Sequence, residues 1–334
     1  MIPLRPQVAV WSQLAFSLEK IMKTQPKIVV VGSSNTDMIV KSKHLPKPGE
    51  TVIGGTFSCV AGGKGANQAV AAARLGADVT FIAKLGQDVF GDKALEGYHK
   101  EGIDTNWIRR DPQQATGVAL ILVDDNGENL ISVASGANLF LSVEDVSKAG
   151  DVIEAADIVV SQLETPMETL VFTAELAAKH GVPMILDPAP APETPLPSEL
   201  LSKLYCIKPN ENEAYRLTGV EVTDAKSAQK AADVLLEKGA RSVIVTLGTQ
   251  GALVCERNSQ GAGRGVLVPA HVVKAVDTTA AGDCFSGALA VGLASGMSLV
   301  DAARLGVKAS ALSVMKLGAQ PSLPTMQEVE GFGG

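Results

Sequence analysis

Aromatic residues are scarce in this 334-residue chain, since Phe, Trp and Tyr together make up only 4% of it. Surfaces that bind nucleic acid commonly stack bases on aromatic side chains, so the scarcity argues against such a surface. The 29 Lys and Arg residues are outnumbered by 36 Asp and Glu residues, which gives a net charge of -7. An acidic chain does not coat nucleic acid by charge, and we expect no nucleic-acid partner.

Long hydrophobic runs and paired cysteines are also missing. No apolar run approaches the roughly 20 residues of a membrane-spanning helix, so no membrane partner is expected. Four cysteines, Cys59, Cys206, Cys255 and Cys284, are scattered along the chain and form no CxxC motif. This pattern is typical of reduced thiols in a cytoplasmic enzyme and argues against a disulfide framework or a zinc site.

The first 24 residues differ from the rest. A moderately apolar segment over 8–18 is interrupted by polar residues, and no small-residue cleavage site follows it. A short amphipathic helix or a frayed terminus therefore fits better than a secretory signal. A third interpretation is that translation begins at Met22. We expect 1–24 to be an extension and 25–334 to form the folded domain.

Strand and helix patterns alternate along that domain. The first strand is a β-branched run over 28–31 that ends at a turn, and the last helical pattern covers 299–317. Alternation of this kind predicts an α/β fold, with a three-layer, Rossmann-like, mostly parallel sheet and helices on both faces. Ligands bind such sheets beyond the carboxyl ends of the strands. The other predicted strands are 79–83, 158–161, 184–186, 206–207, 242–246 and 252–255, and the other predicted helices are 66–75, 168–180, 211–217, 225–238 and 282–294.

Two stretches break the alternation. Residues 50–59 and 117–133 alternate or run β-branched with no helix in between, and the second contains Asp-Asp-Asn-Gly from Asp124, a strong hairpin signal. We interpret them as a small antiparallel sheet inserted in the α/β core, formed by about 38–62 and 114–136. A small sheet of this kind can serve as a lid, a dimer surface or both.

A glycine-rich segment over 61–67 comes directly before a predicted helix. Closely spaced glycines let the backbone pass near a ligand, with Lys64 and Asn67 as polar groups beside it. Gly65 stands where a Walker A loop has Ser or Thr, so the segment is not that phosphate-binding loop. A tight loop at a helix start, with no ligand, is the alternative.

A second segment of small residues, 275–283, leads into a helix rich in Ala and Gly. Its helix start exposes free N–H groups, which together with the helix dipole form an anion site. Asp283 is then placed to accept a proton from a hydroxyl while the amides hold a phosphoryl group. An ordinary acidic N-cap is the alternative. Cys284, the next residue, fits a small core residue better than a reactive thiol.

Weaker signals lie at other strand ends. Asn35 and Asp37 are placed to hydrogen-bond a polyhydroxylated ligand, although turns favour the same residues. Residues 246–251 run from a strand into a glycine turn. Asn210 and Glu213 fit a capping box, which needs no ligand.

Taken together, these segments resemble the ribokinase branch of the PfkB carbohydrate kinases. The resemblance runs from 28 to about 324 and rests on Gly-Gly-Lys-Gly-Ala-Asn at 62–67 and Ala-Gly-Asp at 281–283. Further matching segments are Gln-Leu-Glu at 162–164, Asp-Pro-Ala-Pro-Ala at 187–191, Asn-Glu-x-Glu at 210–213 and Gly-Ala-Gln-Pro-Ser at 318–322. The resemblance implies a ribokinase-like fold and transfer of the γ-phosphoryl group of ATP to a sugar hydroxyl, with D-ribose converted to D-ribose 5-phosphate.

The resemblance also implies roles for individual residues. Asp283 falls on the catalytic base, and Ala280, Ala281 and Gly282 fall on the anion hole. The sugar-binding positions are matched by Asn35, Thr36, Asp37, Gly63, Lys64, Gly65, Ala66, Asn67 and Glu164, together with Asp283. The ATP-binding positions are matched by Asn210, Thr246, Leu247, Gly248, Thr249, Gln250, Gly251 and Gly282. Glu213 falls on the residue linked to Mg²⁺ and phosphate handling.

Family members of this branch also bind a monovalent cation, usually K⁺, beside the anion hole. The matching positions, several through backbone carbonyls, are Asp277, Thr279, Ser313, Lys316, Gly318 and Ser322. The inserted strands match the family's lid, which also forms a dimer clasp, so a homodimer is expected. Two residues depart from the commoner pattern: Ala280 replaces a glycine, and Asp187, to which we assign no role, stands where Asn is often seen.

Two other functions stay open on the sequence alone. The first is another PfkB kinase, such as a fructokinase, a deoxyribokinase or a nucleoside kinase, although the lid and the Gly-Gly-Lys-Gly-Ala-Asn-Gln run favour ribose. The second is a non-catalytic regulator that binds a sugar or nucleotide on the same fold. Asp283 argues against the regulator, because a binding module has no need of a base.

Overall fold

The computed structural model describes residues 25–258 and 261–333, and the predicted extension at 1–24 lies outside them. Its strands are β1 Lys27–Val31, β2 Asn35–Lys41, β3 Thr56–Gly62, β4 Asp78–Gly86, β5 Ile108–Asp111, β6 Gly117–Val123, β7 Asn129–Ala134, β8 Ile158–Ser161, β9 Met184–Leu186, β10 Cys206–Ile207, β11 Ser242–Thr246, β12 Ala252–Asn258, β13 Gly261–Ala262 and β14 Val266–Val268. Its α-helices are α1 Lys64–Arg74, α2 Val89–Lys100, α3 Val143–Ser147, α4 Gly150–Glu154, α5 Met167–Lys179, α6 Ser198–Lys203, α7 Glu211–Thr218, α8 Ala225–Glu237, α9 Ala281–Ala294, α10 Leu299–Ser313 and α11 Met326–Gly331.

The larger sheet confirms the predicted mostly parallel architecture. Its strand order is β13-β12-β11-β10-β9-β8-β1-β4-β5, with β14 beside β12. Every neighbouring pair from β5 to β11 is parallel, and β12 then runs antiparallel to β11. All four residues of β8 are buried, as expected for a strand covered on both faces.

Two apolar clusters, one on each face of this sheet, make the three layers. Ile28 and Val30 of β1 belong to the cluster that contains α1, α9 and α10, whereas Val29 and Val31 belong to the cluster that contains α5 and α8. Successive strand residues point to opposite faces, so one β-branched strand contributes to both clusters. Small residues bring α1 and α9 close together, since a Cβ added to Gly287 would lie 2.6 Å from the Ala71 Cβ.

The second, smaller sheet is present, with strand order β3-β2-β6-β7. It differs from the prediction in two ways. Its central pair, β2 and β6, is parallel, because both strands leave the larger sheet in the same direction. Its first strands lie at Asn35–Lys41 and Thr56–Gly62, so the interpretation of 50–59 as a strand is wrong at its first half. The predicted hairpin joins β6 to β7, and Gly127 in its turn has a φ of 86°.

The other predicted helix and strand boundaries differ from those of the structure by at most three residues, except at the last long helix. That helix ends at Ser313, not at 317, because the backbone amides of Val276 and Asp277 donate to the Val314 carbonyl and turn the chain there. Among the described residues, no helix combines the length and apolar composition needed to cross a bilayer.

Candidate active site

Most of the predicted site residues meet at the carboxyl ends of the parallel strands. Asn35 begins β2 shortly after β1 ends, Glu164 follows β8, and Asn210 follows β10. The starts of α1 and α9 lie at the same edge, because Asn67 in α1 hydrogen-bonds Asp283 in α9. Parallel sheets bind ligands at this edge, so the topology alone makes it the candidate site.

Asp283 is buried at the junction of these elements, with 6% of its surface exposed. Its Oδ2 accepts a hydrogen bond from Asn67 Nδ2 at 2.8 Å, and its Oδ1 accepts one from Gln68 Nε2 at 3.0 Å. Burial, against the opposing charge of Lys64, raises the pKa of Asp283 from its ordinary 3.8 to about 6. Asp283 is therefore ionised at neutral pH yet more basic than a surface aspartate, as a general base requires.

Lys64, the first residue of α1, lies among carboxylates. Burial alone would lower the pKa of its ammonium, but nearby carboxylates, above all Asp283 and Glu164, raise the pKa above its ordinary value. Burial and the charge of Glu164 raise the pKa of Asp37 to about 6, against the opposing charge of Lys64. The cluster offers donors and acceptors side by side, which suits a ligand with several hydroxyls.

The glycine-rich loop is packed against the chain that leaves β1. Gly63 has a φ of 87°, and a Cβ added there would lie 2.6 Å from the backbone nitrogen of Asn35. The next amide, that of Lys64, donates to Glu164 Oε2 at 3.1 Å, so a carboxylate satisfies one of the free amides at the start of α1. Close packing is thus one reason for the glycine at position 63.

Helix α9 begins with amides that have no acceptor within the helix. Ala281 N donates to Thr278 O at 3.2 Å, and the amides of Gly282 and Asp283 follow it in the first turn. Free amides and the helix dipole favour a negative charge at this end, as the predicted anion hole requires. Ala280 precedes the helix with a φ of 59°, a left-handed conformation that costs an L residue roughly 1 kcal/mol. Ala in place of the commoner glycine therefore leaves strain at the site without preventing the helix start.

The predicted ATP-binding residues form a second cluster. Asn210 and Thr246 are partners in a parallel bridge, and the turn after Thr246 contains the 3₁₀ helix Gly248–Gln250. Leu247 N donates to Gly251 O at 2.8 Å and closes this turn. The cluster is continuous with the end of β11, as expected for a strand that runs into a glycine turn.

Asn210 and Glu213 form the capping box that their spacing predicts at the start of α7. Asn210 Oδ1 accepts from Glu213 N, and Glu213 Oε2 accepts from Asn210 N, both at 2.9 Å. Burial and the charge of Asp187 raise the pKa of Glu213, so this carboxylate also faces the other charged groups of the site. The structural role and a role toward a ligand are compatible, because the cap uses only one carboxylate oxygen.

Asp277 joins the two loops that the resemblance assigns to a cation. Its Oδ1 accepts from Thr279 N at 2.9 Å and Thr279 Oγ1 at 2.6 Å, and its Oδ2 accepts from Gly318 N at 2.8 Å. Although burial opposes ionisation, these hydrogen bonds lower the pKa of Asp277. The loops are thus held together around a carboxylate.

The side chains of Lys316 and Thr36 are not directed toward the ligands for which these positions were predicted. Lys316 Nζ pairs with Glu328 Oε1 at 2.6 Å, so the backbone is what Lys316 offers to a cation. Thr36 lies between Asn35 and Asp37 on β2, and alternation places its side chain on the opposite face from theirs. The hydroxyls of Ser313 and Ser322 donate to the Ser310 and Ala319 carbonyls, which leaves their oxygens as acceptors.

Three buried residues of the site were not predicted. Gln68 Nε2 donates to Asp187 Oδ2 at 2.9 Å as well as to Asp283, so one amide joins the two carboxylates. Asp187 Oδ2 lies 3.2 Å from Lys208 Nζ, and both residues are 2% exposed. Lys208 Nζ also donates to Gly282 O at 3.3 Å and so anchors the start of α9. Gln68 follows Asn67 directly, and Lys208 lies two residues before Asn210. In the sequence, only this closeness to a motif could have pointed to Gln68 and Lys208 as site residues.

Residues 25–326 match the family model described as pfkB family carbohydrate kinase. The chain belongs to this family. A ribokinase from Haemophilus influenzae is 45% identical over 305 residues, which cover 91% of this chain and 97% of that protein. A deoxyribokinase from Salmonella typhi is 38% identical, with 91% and 98% covered. The structure of an Arabidopsis thaliana ribokinase complexed with ribose and ATP superposes with a TM-score of 0.83 at 34% identity, covering 92% of this chain and 98% of that one.

Membership of the pfkB family confirms the resemblance drawn from the motifs. Asp187 departs from the Asn that is often found at this position in the family. The extra negative charge is buried, and the structure supplies a buried cation, Lys208, beside it. A buried charge persists only where it is paired and hydrogen-bonded, so the departure and its partner belong together.

Proposed function

We propose that this chain is an ATP-dependent sugar kinase that converts D-ribose and ATP to D-ribose 5-phosphate and ADP. The observation that carries the proposal is Asp283, a buried carboxylate with a raised pKa in the first turn of a helix whose start is an anion site. A ribokinase relative at 45% identity and the similar structure that holds ribose and ATP support both substrates.

The sugar is proposed to lie between α1 and the small sheet, which acts as a lid. Asn35, Asp37, Lys64 and Glu164 supply polar groups there, and Gly63, Gly65 and Ala66 belong to the glycine-rich loop beside them. Asn67 supports this placement, because its Oδ1 is buried with no hydrogen-bond partner among the described residues. A buried acceptor of this kind calls for a donor, and a sugar hydroxyl is one.

ATP is proposed to lie along the cluster of Asn210 and 246–251 with its phosphates toward the start of α9. Asp283 takes the proton of the primary hydroxyl while the hydroxyl oxygen bonds to the γ-phosphorus and ADP leaves. Asn67 and Gln68 hold the two carboxylate oxygens and so fix the direction from which the proton is accepted. The first-turn amides, among them that of Gly282, stabilise the charge on the transferred group.

Two ions fit the residues present. Mg²⁺ accompanies ATP, and Glu213 has one carboxylate oxygen outside its cap with which to act on it. A monovalent cation, which we propose to be K⁺, fits the loops around Asp277, because hydroxyl, carbonyl and carboxylate oxygens are the donors that hard cations prefer. It would supply positive charge beside the anion site.

A substrate panel tests this function. We expect ATP turnover to be fastest with D-ribose, slower with 2-deoxyribose, and near background with fructose and adenosine, in K⁺ more than in Na⁺. A coupled assay of ADP release with and without each acceptor measures it. Preference for 2-deoxyribose would support the deoxyribokinase alternative, and ligand binding without any turnover would support the regulator. Equal rates in K⁺ and Na⁺ would contradict only the proposal that the bound monovalent cation is K⁺.

We further propose that the chain is a homodimer through the outer face of the small sheet. Cross-strand pairing places Met38, Leu120 and Leu122 on one face, opposite to the face of Asp37. Phe57 and Leu130 join this outer face and are 64% and 51% exposed. An apolar outer face on a sheet whose inner face carries ligand groups suits a second copy of the chain.

Replacing Leu120 by Lys is expected to convert the dimer to a monomer, because the charge would be buried at the centre of that face. Sedimentation velocity measures the change. Val89→Lys is the matched control, since Val89 is a comparably exposed apolar residue on α2, 58% against 54% for Leu120. A monomeric wild type, or a dimer unaffected by Leu120→Lys, would contradict the proposal.

A cytoplasmic location is the last part of the proposal. All four cysteines are free thiols, and burial raises the pKa of Cys206, Cys255 and Cys284 to about 12. Unpaired thiols suit a reducing compartment. Recovery of the protein in a secreted fraction upon cell fractionation would contradict this location.

A further inference from the structure

Asn138 is a buried amide beside the sugar site to which the proposed mechanism gives no role. It lies in the 3₁₀ helix Gly136–Phe140, which follows β7, and only 1% of its surface is exposed. Its Oδ1 accepts from Ser34 N at 2.9 Å, and its Nδ2 donates to Ser34 O at 3.1 Å and to Asn35 Oδ1 at 2.8 Å. Both hydrogens and the oxygen of this amide are therefore engaged.

These hydrogen bonds determine the orientation of two amides in turn. The Ser34 N–H can only donate, so Oδ1 of Asn138 faces it and Nδ2 faces the two oxygens. If Asn35 had the opposite orientation, its NH₂ group would face the NH₂ group of Asn138. Asn35 is therefore held with Oδ1 toward Asn138, and its Nδ2, which has no partner among the described residues, is left for a ligand.

The surrounding backbone leaves the amide pair little freedom. Gly117 is the partner of Asn35 in the parallel pairing of β2 and β6. A Cβ added to Gly117 would lie 2.1 Å from Asn35 Oδ1 and 2.5 Å from Asn138 Nδ2, so no side chain fits there. The amide pair thus lies where three segments meet at the base of the small sheet: the start of β2, the start of β6 and the chain leaving β7.

Asp37 determines why the orientation of the Asn35 amide matters for a bound sugar. It lies on the same face of β2 as Asn35 and, when ionised, only accepts hydrogen bonds. A sugar hydroxyl has a single hydrogen. A hydroxyl group that donates this hydrogen to Asp37 can only accept from Asn35, and Nδ2 is the group that Asn35 presents.

We propose that Asn138 is a positioning residue that fixes Asn35 as a hydrogen-bond donor to a sugar hydroxyl oxygen. The inference rests on the proposed function, in which Asn35 binds the sugar. An Asn35 amide free to rotate would present its oxygen as readily as its nitrogen, and an acceptor facing the lone pairs of a hydroxyl leaves a buried group unsatisfied. Asn138 thereby contributes to sugar recognition without contacting the sugar.

Asn138→Asp tests the proposal, because the introduced carboxylate still accepts from Ser34 N but cannot donate to Asn35 Oδ1. Asn35 then rotates to donate Nδ2 to the carboxylate and presents Oδ1 to the sugar. We expect KM and Kd for D-ribose to rise about tenfold, while KM for ATP changes less than about twofold. Steady-state kinetics and calorimetric ribose binding measure these values. Asn106→Asp, at an exposed asparagine outside the site, is the matched control.

A double-mutant cycle separates this role from a merely structural one. In the Asn35→Ala background, Asn138→Asp is expected to change ribose KM by less than about twofold, because the amide through which it acts is gone. An equal effect in both backgrounds, or an unchanged ribose KM in Asn138→Asp, would overturn the inference while leaving the proposed function intact. A wild type that neither binds nor phosphorylates ribose would overturn both.

Asn35→Asp keeps the test open if Asn138→Asp fails to fold. That variant still accepts the hydrogen bond of Asn138 Nδ2 but has no donor for the sugar. We expect at least the same tenfold rise in ribose KM, on the scale of one buried hydrogen bond. Ribose KM within about twofold of the wild-type value would contradict the assignment of Asn35 as a donor.

Discussion

Asp283→Asn is expected to lower kcat with D-ribose by at least ~10²-fold, because the carboxylate that accepts the hydroxyl proton is lost. ATP should still bind, since the amides at the start of α9 and the cluster around Thr246 are unchanged. Rapid-quench kinetics and nucleotide binding measure the two effects separately. Asp92→Asn is the matched control, because Asp92 also lies in the first turn of a helix but pairs with Arg110 at the surface. Wild-type turnover in Asp283→Asn would contradict the assignment of the base.

The raised pKa of Asp283 adds a pH signature to the same variant. Wild-type kcat should fall as pH drops through about 6, where the base becomes protonated. The small residual rate of Asp283→Asn should lack this step. A wild-type profile that stays flat down to about pH 5 would contradict the raised pKa.

The raised pKa of Asp283 also means that ionising this carboxyl lowers the free energy of unfolding. The folded protein holds the Asp283 proton more tightly than the unfolded chain, so its contribution is fully present below the unfolded pKa of about 3.8 and is lost as pH rises through about 6. A shift of about two pKa units corresponds to about 3 kcal/mol. Urea unfolding should therefore show Asp283→Asn gaining up to that amount over wild type between about pH 4 and pH 7. Asp37 titrates in both proteins and cancels from the comparison.

Sequence patterns predicted the core strands well, because a strand covered on both faces is continuously apolar. Residues 158–161 were found for that reason, whereas the edge strand Ile108–Asp111, with two arginines and an aspartate, was not. Helix α2 was missed because two glycines weaken its pattern, although Asp88 caps it. The start of β2 was not predicted as a strand, because Asn35 and Asp37 are residue types that turns favour.

The candidate site was predicted only where its residues lie in recognisable motifs. Asp283 and Asn67 belong to such motifs, and the structure brings them within 2.8 Å. Asn138 lies 103 residues from Asn35, and no local pattern links the two. Contacts of this kind depend on which strand ends become neighbours, which the topology decides and the spacing of residues does not.

The buried ion pair of Asp187 and Lys208 is another contact that the topology determines, and its loss is expected to have a large effect on stability. Lys208→Met is expected to lower the free energy of unfolding by about 3–5 kcal/mol, because it leaves the Asp187 charge buried without its cation. Gln68 and Ser286 still donate to Asp187, but neither carries a charge. The start of α9 also loses the hydrogen bond from Lys208 to the Gly282 carbonyl, so kcat should fall as well.

The double variant Asp187→Asn/Lys208→Met should recover most of that stability, because it removes the unpaired charge and keeps the shape of both side chains. Urea denaturation at neutral pH compares the single and double variants with wild type. Lys238→Met is the control for loss of a lysine-to-carbonyl hydrogen bond alone: Lys238 Nζ donates to the Leu217 carbonyl, as Lys208 does to Gly282, but Lys238 is exposed and has no ion pair among the described residues. Its effect should stay within about 0.5 kcal/mol. Equal losses in the single and double variants would show that the charge pair is not what stabilises this end of the sheet, and that Asp187 is buried for another reason.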